Sequence, residues 1–277
     1  MSYKILIIGN GFIGSNLFNY YSQLYPTQIT NKDILNVRSP QSVKDFFKKN
    51  NNFTHIIYAA GLKDVKFCES DPDTAFEVNA EGVKRILNCL KSAKFIYIST
   101  DYVFDGSKGN YSELSVPNPH TTYGKSKLLG EWYTHIYGDN SMIVRTSGVY
   151  GNGCTWLKWL MSEMEKDSKI VCFSDVFNSP TYVDNLAQMI LDMMDIDYAG
   201  MINLSGPEAI NRFELYKTVF RCYNKNERNL SSGNSNGTIP LNISLDINLY
   251  QKLSAKKPAS IDIGFSLLSS QAKLYEN

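Results

Sequence analysis

The sequence predicts an α/β fold: a doubly wound parallel sheet with a smaller C-terminal region attached. Two observations carry this. Short apolar runs alternate with longer amphipathic stretches, and a glycine-rich turn follows the first apolar run directly.

Lys4 to Ile8 reads as the first buried strand, and Phe12 to Leu24, apolar at spacings of three and four, as the helix packed on it. The second strand should end near Thr30-Asn31, with a helix over Ser39 to Lys49. Thr54 to Ala60 and Lys94 to Ser99 are the next strands, separated by a long helix over Asp73 to Lys91. A helix over Thr122 to Tyr137, a strand over Ser141 to Arg145, a helix over Tyr182 to Met194 and a strand over Met201 to Leu204 continue the alternation. Asn224 to Gly237 (NKNERNLSSGNSNG) reads as a loop. With no internal repeat and no Pro/Gly linker, the second region is expected as insertions on the same sheet.

The 277 residues suffice for one large domain or a nucleotide-binding domain with a smaller addition. With 28 Lys+Arg against 27 Asp+Glu and no basic block, neither nucleic acid nor an anionic membrane is expected as a partner. The N-terminus has no signal-peptide pattern and is too short for a membrane span, so a cytoplasmic location is expected. Cys68, Cys89, Cys154, Cys172 and Cys222 form no Cys-x-x-Cys pair, and His55, His120 and His135 are unclustered, so no metal site is expected.

Gly9-Asn10-Gly11-Phe12-Ile13-Gly14 lies between strand and helix, where a dinucleotide fingerprint belongs. Gly9 permits the tight turn, Gly11 lets the backbone approach a pyrophosphate, and Gly14 lets the helix lie close to the strand. An acidic residue at the end of the second strand would bind the ribose 2′-OH of NAD. Asn31-Lys32 stand there instead, which favours NADP; NAD remains open because Asp33 follows.

Tyr123 and Lys127 are four apart at the start of a helix and share one face. An ammonium beside a phenol lowers its pKa from about 10 and brings its proton into reach of chemistry. A hydroxyl at Thr100, at the carboxyl edge of the sheet, can bond the same substrate oxygen.

Ser99-Thr100-Asp101-Tyr102-Val103-Phe104-Asp105-Gly106 and Tyr123-Gly124-Lys125-Ser126-Lys127-Leu128-Leu129-Gly130-Glu131 resemble the dTDP-4-dehydrorhamnose reductase branch of the extended short-chain dehydrogenases. Further segments in the family's order run from Ala59-Ala60-Gly61 to Pro240-Leu241-Asn242, and the resemblance weakens after about Leu253. It implies a Rossmann-like domain over residues 1–150. A mainly substrate-binding region over 151–277 would return to it near 170–205. Thr100 would orient the keto oxygen, Tyr123 would be the acid, and Lys127 would hold the nicotinamide ribose while lowering the Tyr123 pKa. Ala59, Ala60, Gly61, Asn79, Asn36 and Val37 would lie along the cofactor. Asp101, Tyr102, Val103, Phe104 and Gly148 would face substrate. Gly148 stands where the family has a Trp, which removes a substrate wall; Trp156 or Trp159 are candidates to compensate.

The implied activity is NADPH-dependent reduction of the C4 keto group of a nucleotide-linked 6-deoxy-4-keto-hexose. The related 4,6-dehydratases place a Glu where Tyr102 stands, so a second acid/base pair is missing here. A nucleotide-sugar epimerase that recycles its cofactor is one alternative, and stoichiometric NADPH consumption separates the two. A non-catalytic NADP-binding regulatory subunit is another, disfavoured because Thr100, Tyr123 and Lys127 are all present. A homodimer is left open.

Overall fold

The computed structural model describes residues 2–237 and 239–275. In chain order, β1 (Ile5–Ile8), α1 (Phe12–Tyr21), β2 (Thr27–Thr30), α2 (Pro40–Lys49), β3 (His55–Tyr58), α3 (Val65–Ser70), α4 (Pro72–Phe76), α5 (Gly82–Leu87), β4 (Lys94–Thr100), α6 (Thr122–Tyr137) and β5 (Ser141–Thr146) come first. They are followed by α7 (Thr155–Glu165), β6 (Ile170–Phe173), β7 (Phe177–Asn178), α8 (Val183–Asp195), β8 (Gly200–Asn203), β9 (Ile210–Asn211), α9 (Arg212–Cys222), β10 (Leu230–Gly233), α10 (Asn248–Ser254) and α11 (Ile261–Tyr275). Two compact units result. The first comprises residues 1–105, 116–145 and 187–202; the second comprises 106–115, 146–186 and 203–277.

The first unit is built on a parallel six-stranded sheet in the order β2-β1-β3-β4-β5-β8. The order reverses at β1 and β3, the topological switch point where doubly wound sheets bind ligands. β1 and β3 are buried along their whole length, because helices cover both faces of a parallel sheet. Each fully buried Ile or Leu there contributes about 2 kcal/mol. α2 begins where Ser39 accepts a hydrogen bond from Ser42 N–H, with Pro40 next, and carries Lys48 and Lys49 in its last turn. Those are the cap, the preset φ and the charges that a helix terminus favours.

The helix expected over Asp73 to Lys91 runs from Pro72 to Leu87 and is not α-helical throughout. α4 and α5 are joined by a π-helical turn over Glu77–Glu81, which shifts the hydrogen-bond register and turns Asn79 inward, fully buried. Tyr58 and Tyr97 hold that turn by donating to the carbonyl oxygens of Val78 and Asn79 at 2.6 and 2.7 Å.

The second unit holds two small sheets, β10-β6 and β7-β9. Here the expected loop over Asn224 to Gly237 is corrected: Leu230–Gly233 is a strand in parallel register with Ile170–Phe173. Its backbone pairs where its side chains give no signal, and Asp175 anchors the chain beyond it by accepting from Ser235 N–H and O–H at 3.0 Å. An aromatic cluster fills this unit: Tyr150 stacks on Phe265 at 4.4 Å, and Trp156 stacks on Tyr216 at 5.8 Å.

Candidate active site

The turn between β1 and α1 needs each of its glycines. Gly9 has φ +105°, and a Cβ there would meet Ala60 N at 2.5 Å; a Cβ on Gly14 would stand 1.9 Å from Gly9 O. Around Gly11 the space is open to 4 Å. Gly11 also caps α1 without a side chain, and no acidic residue stands in the first turn, so the positive end of the helix faces outward uncompensated. Phe12 and Ile13 are in that first turn. Such a cradle fits a pyrophosphate. Ala59 and Ala60 lie against Gly14 and Gly9, so their small size serves this turn directly.

Beyond β2 the side chains also shape the chain locally. Asn31 closes its own turn, its Oδ1 accepting from Asp33 and Ile34 N–H at 3.0 Å each. Asn36 Oδ1 accepts from Arg38 N–H at 3.0 Å. Val37, expected along the cofactor, is buried against Gly82, and Lys32 is exposed. Asn79, also expected along the cofactor, is instead a clamp. It donates to Leu62 O at 3.0 Å and Ser126 Oγ at 2.9 Å and accepts from Leu62 N–H at 2.9 Å. It thereby ties the segment after Gly61 to α6.

α6 carries Tyr123 and Lys127. Thr121 caps it by accepting from Gly124 N–H at 3.0 Å. Gly124 brings its first turn down on the loop after β4, since a Cβ there would stand 2.2 Å from Tyr102 O. The result is a compact group: Thr100 lies near enough to the Tyr123 hydroxyl to act on it, and the Tyr102 and Tyr123 rings meet edge to face at 5.6 Å.

The electrostatics correct one expectation. Burial pushes the Tyr123 hydroxyl well above the ordinary tyrosine range, against the opposing influence of the neighbouring Thr100 hydroxyl. The Lys127 ammonium does not bring it down: Nζ donates to Ile98 O at 2.6 Å and lies 4.0 Å from the centre of the Tyr97 ring. Burial lowers Lys127 itself to about 7, and the Glu131 carboxylate opposes this. The Tyr123 phenol is therefore protonated at neutral pH, where Lys127 is close to its own titration.

Among the residues expected to face substrate, Asp101 is buried and accepts from Thr100 Oγ1–H at 3.0 Å, holding the loop. Val103 and Phe104 are corrected to core residues, both fully buried, with the Arg145 guanidinium 4.9 Å over the Phe104 ring. Tyr102 stays beside Tyr123. Gly148, in the second unit, has φ +48°, and a Cβ there would meet Asn178 Nδ2 at 2.6 Å. Any larger side chain at position 148 would therefore meet Asn178 at its first carbon. Trp156 and Trp159 both pack on Tyr216.

Sequence reasoning missed the group beneath Lys127. Glu131 is fully buried, pairs with Arg145 through Nε at 2.9 Å and Nη2 at 2.7 Å, and accepts from Ser99 Oγ at 2.5 Å. Two signals were present: a charged residue ending the apolar run Met142-Ile143-Val144, and a glutamate one turn beyond Lys127.

A switch-point sheet, a pyrophosphate cradle and a Tyr-x-x-x-Lys helix beside a strand-end threonine define the extended short-chain dehydrogenase/reductase class. The model of the RmlD substrate binding domain matches residues 3–241. The chain belongs to that family. The spore coat polysaccharide biosynthesis protein SpsK of Bacillus subtilis is 32% identical over 204 residues, 69% of this chain and 69% of its own length. A dTDP-4-dehydrorhamnose reductase of Aggregatibacter actinomycetemcomitans is 29% identical over 203 residues, 69% of this chain and 66% of that one. Among solved structures, dTDP-4-dehydrorhamnose reductase of Bacillus anthracis in complex with NADP superposes with a TM-score of 0.91 at 26% identity, covering 98% of this chain and 100% of that one. Among the described residues no helix is long and apolar enough to cross a membrane.

Proposed function

We propose that this chain reduces the C4 keto group of a nucleotide-linked 6-deoxy-4-keto-hexose, with NADPH as reductant, in the making of an activated deoxysugar for polysaccharide. The observation that carries the reading is Tyr123, a protonated phenol beside Thr100 at the carboxyl edge of β4 and against the Tyr102 ring. The first turn of α1 would hold the pyrophosphate, and Asn31 and Lys32 bring no carboxylate against a 2′-phosphate. The NADP complex of the Bacillus anthracis relative supports the choice of cofactor. NADPH supplies the hydride when bound.

What remains for the protein is one proton and its placement. Burial keeps that proton on Tyr123 Oη at neutral pH, so the chain stands ready to donate as a keto oxygen becomes an alkoxide. Thr100 stands beside the same phenol, its own proton given to Asp101, so its oxygen is placed to accept rather than to donate. Lys127 Nζ, near pKa 7, holds a proton that can be exchanged with the site. With Tyr102 where a dehydratase carries a Glu, a single acid fits a simple reduction.

The test follows NADPH absorbance on adding dTDP-6-deoxy-4-keto-hexose, with and without a 3,5-epimerase, then the UDP- and GDP-linked sugars. Stoichiometric NADPH oxidation with one of them is expected. Tyr123→Phe should bind NADPH normally and lose turnover by about 100-fold or more. No oxidation with any of the sugars, or undiminished turnover in Tyr123→Phe, would overturn the reading.

A further inference from the structure

Tyr123 occupies the second position of α6, and the first turn of a helix has backbone N–H groups with no partner inside the helix. Thr121 satisfies the amide of Gly124. The amide of Thr122 is satisfied from another element altogether. Glu69, in the last turn of α3, accepts from Thr122 N–H with Oε1 at 2.7 Å and from Thr122 Oγ1–H with Oε2 at 2.7 Å. Both carboxylate oxygens are thus spent on the residue immediately before Tyr123. These are charge-assisted bonds, among the stronger ones a protein makes, and a two-point grip fixes orientation as well as distance.

The neighbours of Glu69 point the same way. Cys68, beside it in α3, is buried, donates to Leu62 O at 3.6 Å, and is near enough to act on Tyr123 electrostatically. Asp64 caps α3 by accepting from Phe67 N–H at 2.9 Å, so the helix that presents Glu69 is itself held at its start. Glu69 is exposed, and neither the hydrophobic core nor a buried network depends on it. Yet it spends both oxygens on one residue.

We propose that Glu69 is a positioning residue: its carboxylate clamps Thr122 and so fixes the first turn of α6, setting where the Tyr123 hydroxyl meets the substrate oxygen. The inference rests on reading Tyr123 as the acid. The clamp holds Tyr123 between two fixed neighbours, Thr122 gripped by α3 and Gly124 pressed on the Tyr102 carbonyl. Misplacing a reacting group by about 1 Å costs up to about 100-fold in rate, while binding made elsewhere is unaffected.

The experiment compares steady-state kinetics of the wild type, Glu69→Gln, Glu69→Asp, Thr122→Val, Thr122→Ser and Tyr123→Phe, with NADPH affinity and melting temperature measured on each. Glu69→Gln can accept with one oxygen only; its kcat should fall about 10-fold, with KM for the keto-sugar and NADPH affinity within about two-fold. Its melting temperature should move by less than about 3 °C, as for an ordinary surface change. Thr122→Val, which keeps the amide but loses the hydroxyl, and Glu69→Asp should fall in between. Thr122→Ser, which keeps both donors, should restore the wild-type kcat. A kcat for Glu69→Gln within two-fold of wild type while Tyr123→Phe is inactive would overturn the inference and leave the acid in place. A fall in kcat matched by loss of melting temperature or of NADPH affinity would also overturn it, by making Glu69 structural. Full turnover in Tyr123→Phe would overturn the acid and the clamp together.

Discussion

Lys127 is a lysine held out of water, and its titration records what that burial costs. An ordinary lysine titrates at 10.5, and burial among Tyr97, Ile98 and the first turns of α6 brings this one to about 7, despite the carboxylate of Glu131. Between about pH 7 and 10.5 the unfolded chain carries a proton here that the folded chain has released, so this group makes stability rise with pH through that window. Below pH 7 both states are protonated and the burial penalty is present in full. Lys127→Met removes the group while keeping its length. The denaturation midpoint of the wild type should therefore climb relative to that of Lys127→Met between about pH 7 and 9, where the tyrosines do not yet titrate. The cysteines change charge alike in both proteins and cancel from the comparison. A constant difference across that range would show that Lys127 stays charged in the fold.

At the scale of an element, α6 is where local preference and tertiary contact disagree. Gly130 lies in the middle of a 16-residue helix, and helix propensity alone predicts that alanine there would stabilise by about 1 kcal/mol. A Cβ at that position would stand 2.3 Å from the Tyr97 hydroxyl and 2.4 Å from Asn79 O. Those are backbone and buried groups that cannot give way cheaply. Overpacking of this kind costs about 1–3 kcal/mol, so the contacts win, and Gly130→Ala should destabilise by about that amount in urea unfolding. It should also disturb the π-helical turn, since the Tyr97 hydroxyl that holds Asn79 O is the atom it would displace. The two glycines of α6 therefore serve one end: Gly124 seats the helix on the Tyr102 turn and Gly130 seats it on β4 and the π-helical turn.

At the scale of the folded unit, the Glu131–Arg145 pair joins α6, β5 and, through Ser99, β4, with both charged side chains 1% exposed. Removing one partner leaves the other charge buried and unpaired, so Glu131→Ala or Arg145→Ala should each cost about 3–5 kcal/mol. Replacing both with apolar side chains of similar size, Glu131→Leu with Arg145→Met, removes the charges together and should recover most of that loss. Urea midpoints of the three proteins check this. A double variant as unstable as the sum of the singles would mean that the two side chains contribute independently and that an unpaired buried charge is not the cause of the loss. The same pair sits beneath Lys127, which couples the architecture of the unit to the electrostatics of its site.

The sequence by itself determined the alternating strands and helices of the sheet, the glycine turn and the Tyr-x-x-x-Lys helix, whose bounds at Thr122 and Tyr137 were legible without the structure. These are local features: apolar period, caps and turn residues act within a few positions of the chain. Only the tertiary structure decided the rest. It put a π-helical turn inside the helix expected over Asp73 to Lys91, where Tyr58 and Tyr97 bond the Val78 and Asn79 carbonyls, and it made a strand of Leu230–Gly233 by pairing it with Ile170–Phe173, 60 positions back at Leu230 and Ile170. It buried Val103 and Phe104, set Asn178 against Gly148, and turned the Lys127 charge toward Ile98 rather than toward the phenol. It also brought Glu69 to Thr122 across 53 positions. In each case the deciding partner is distant in the chain. Periodicity and propensity carry no record of it, because burial and hydrogen bonding are settled by what the fold places alongside.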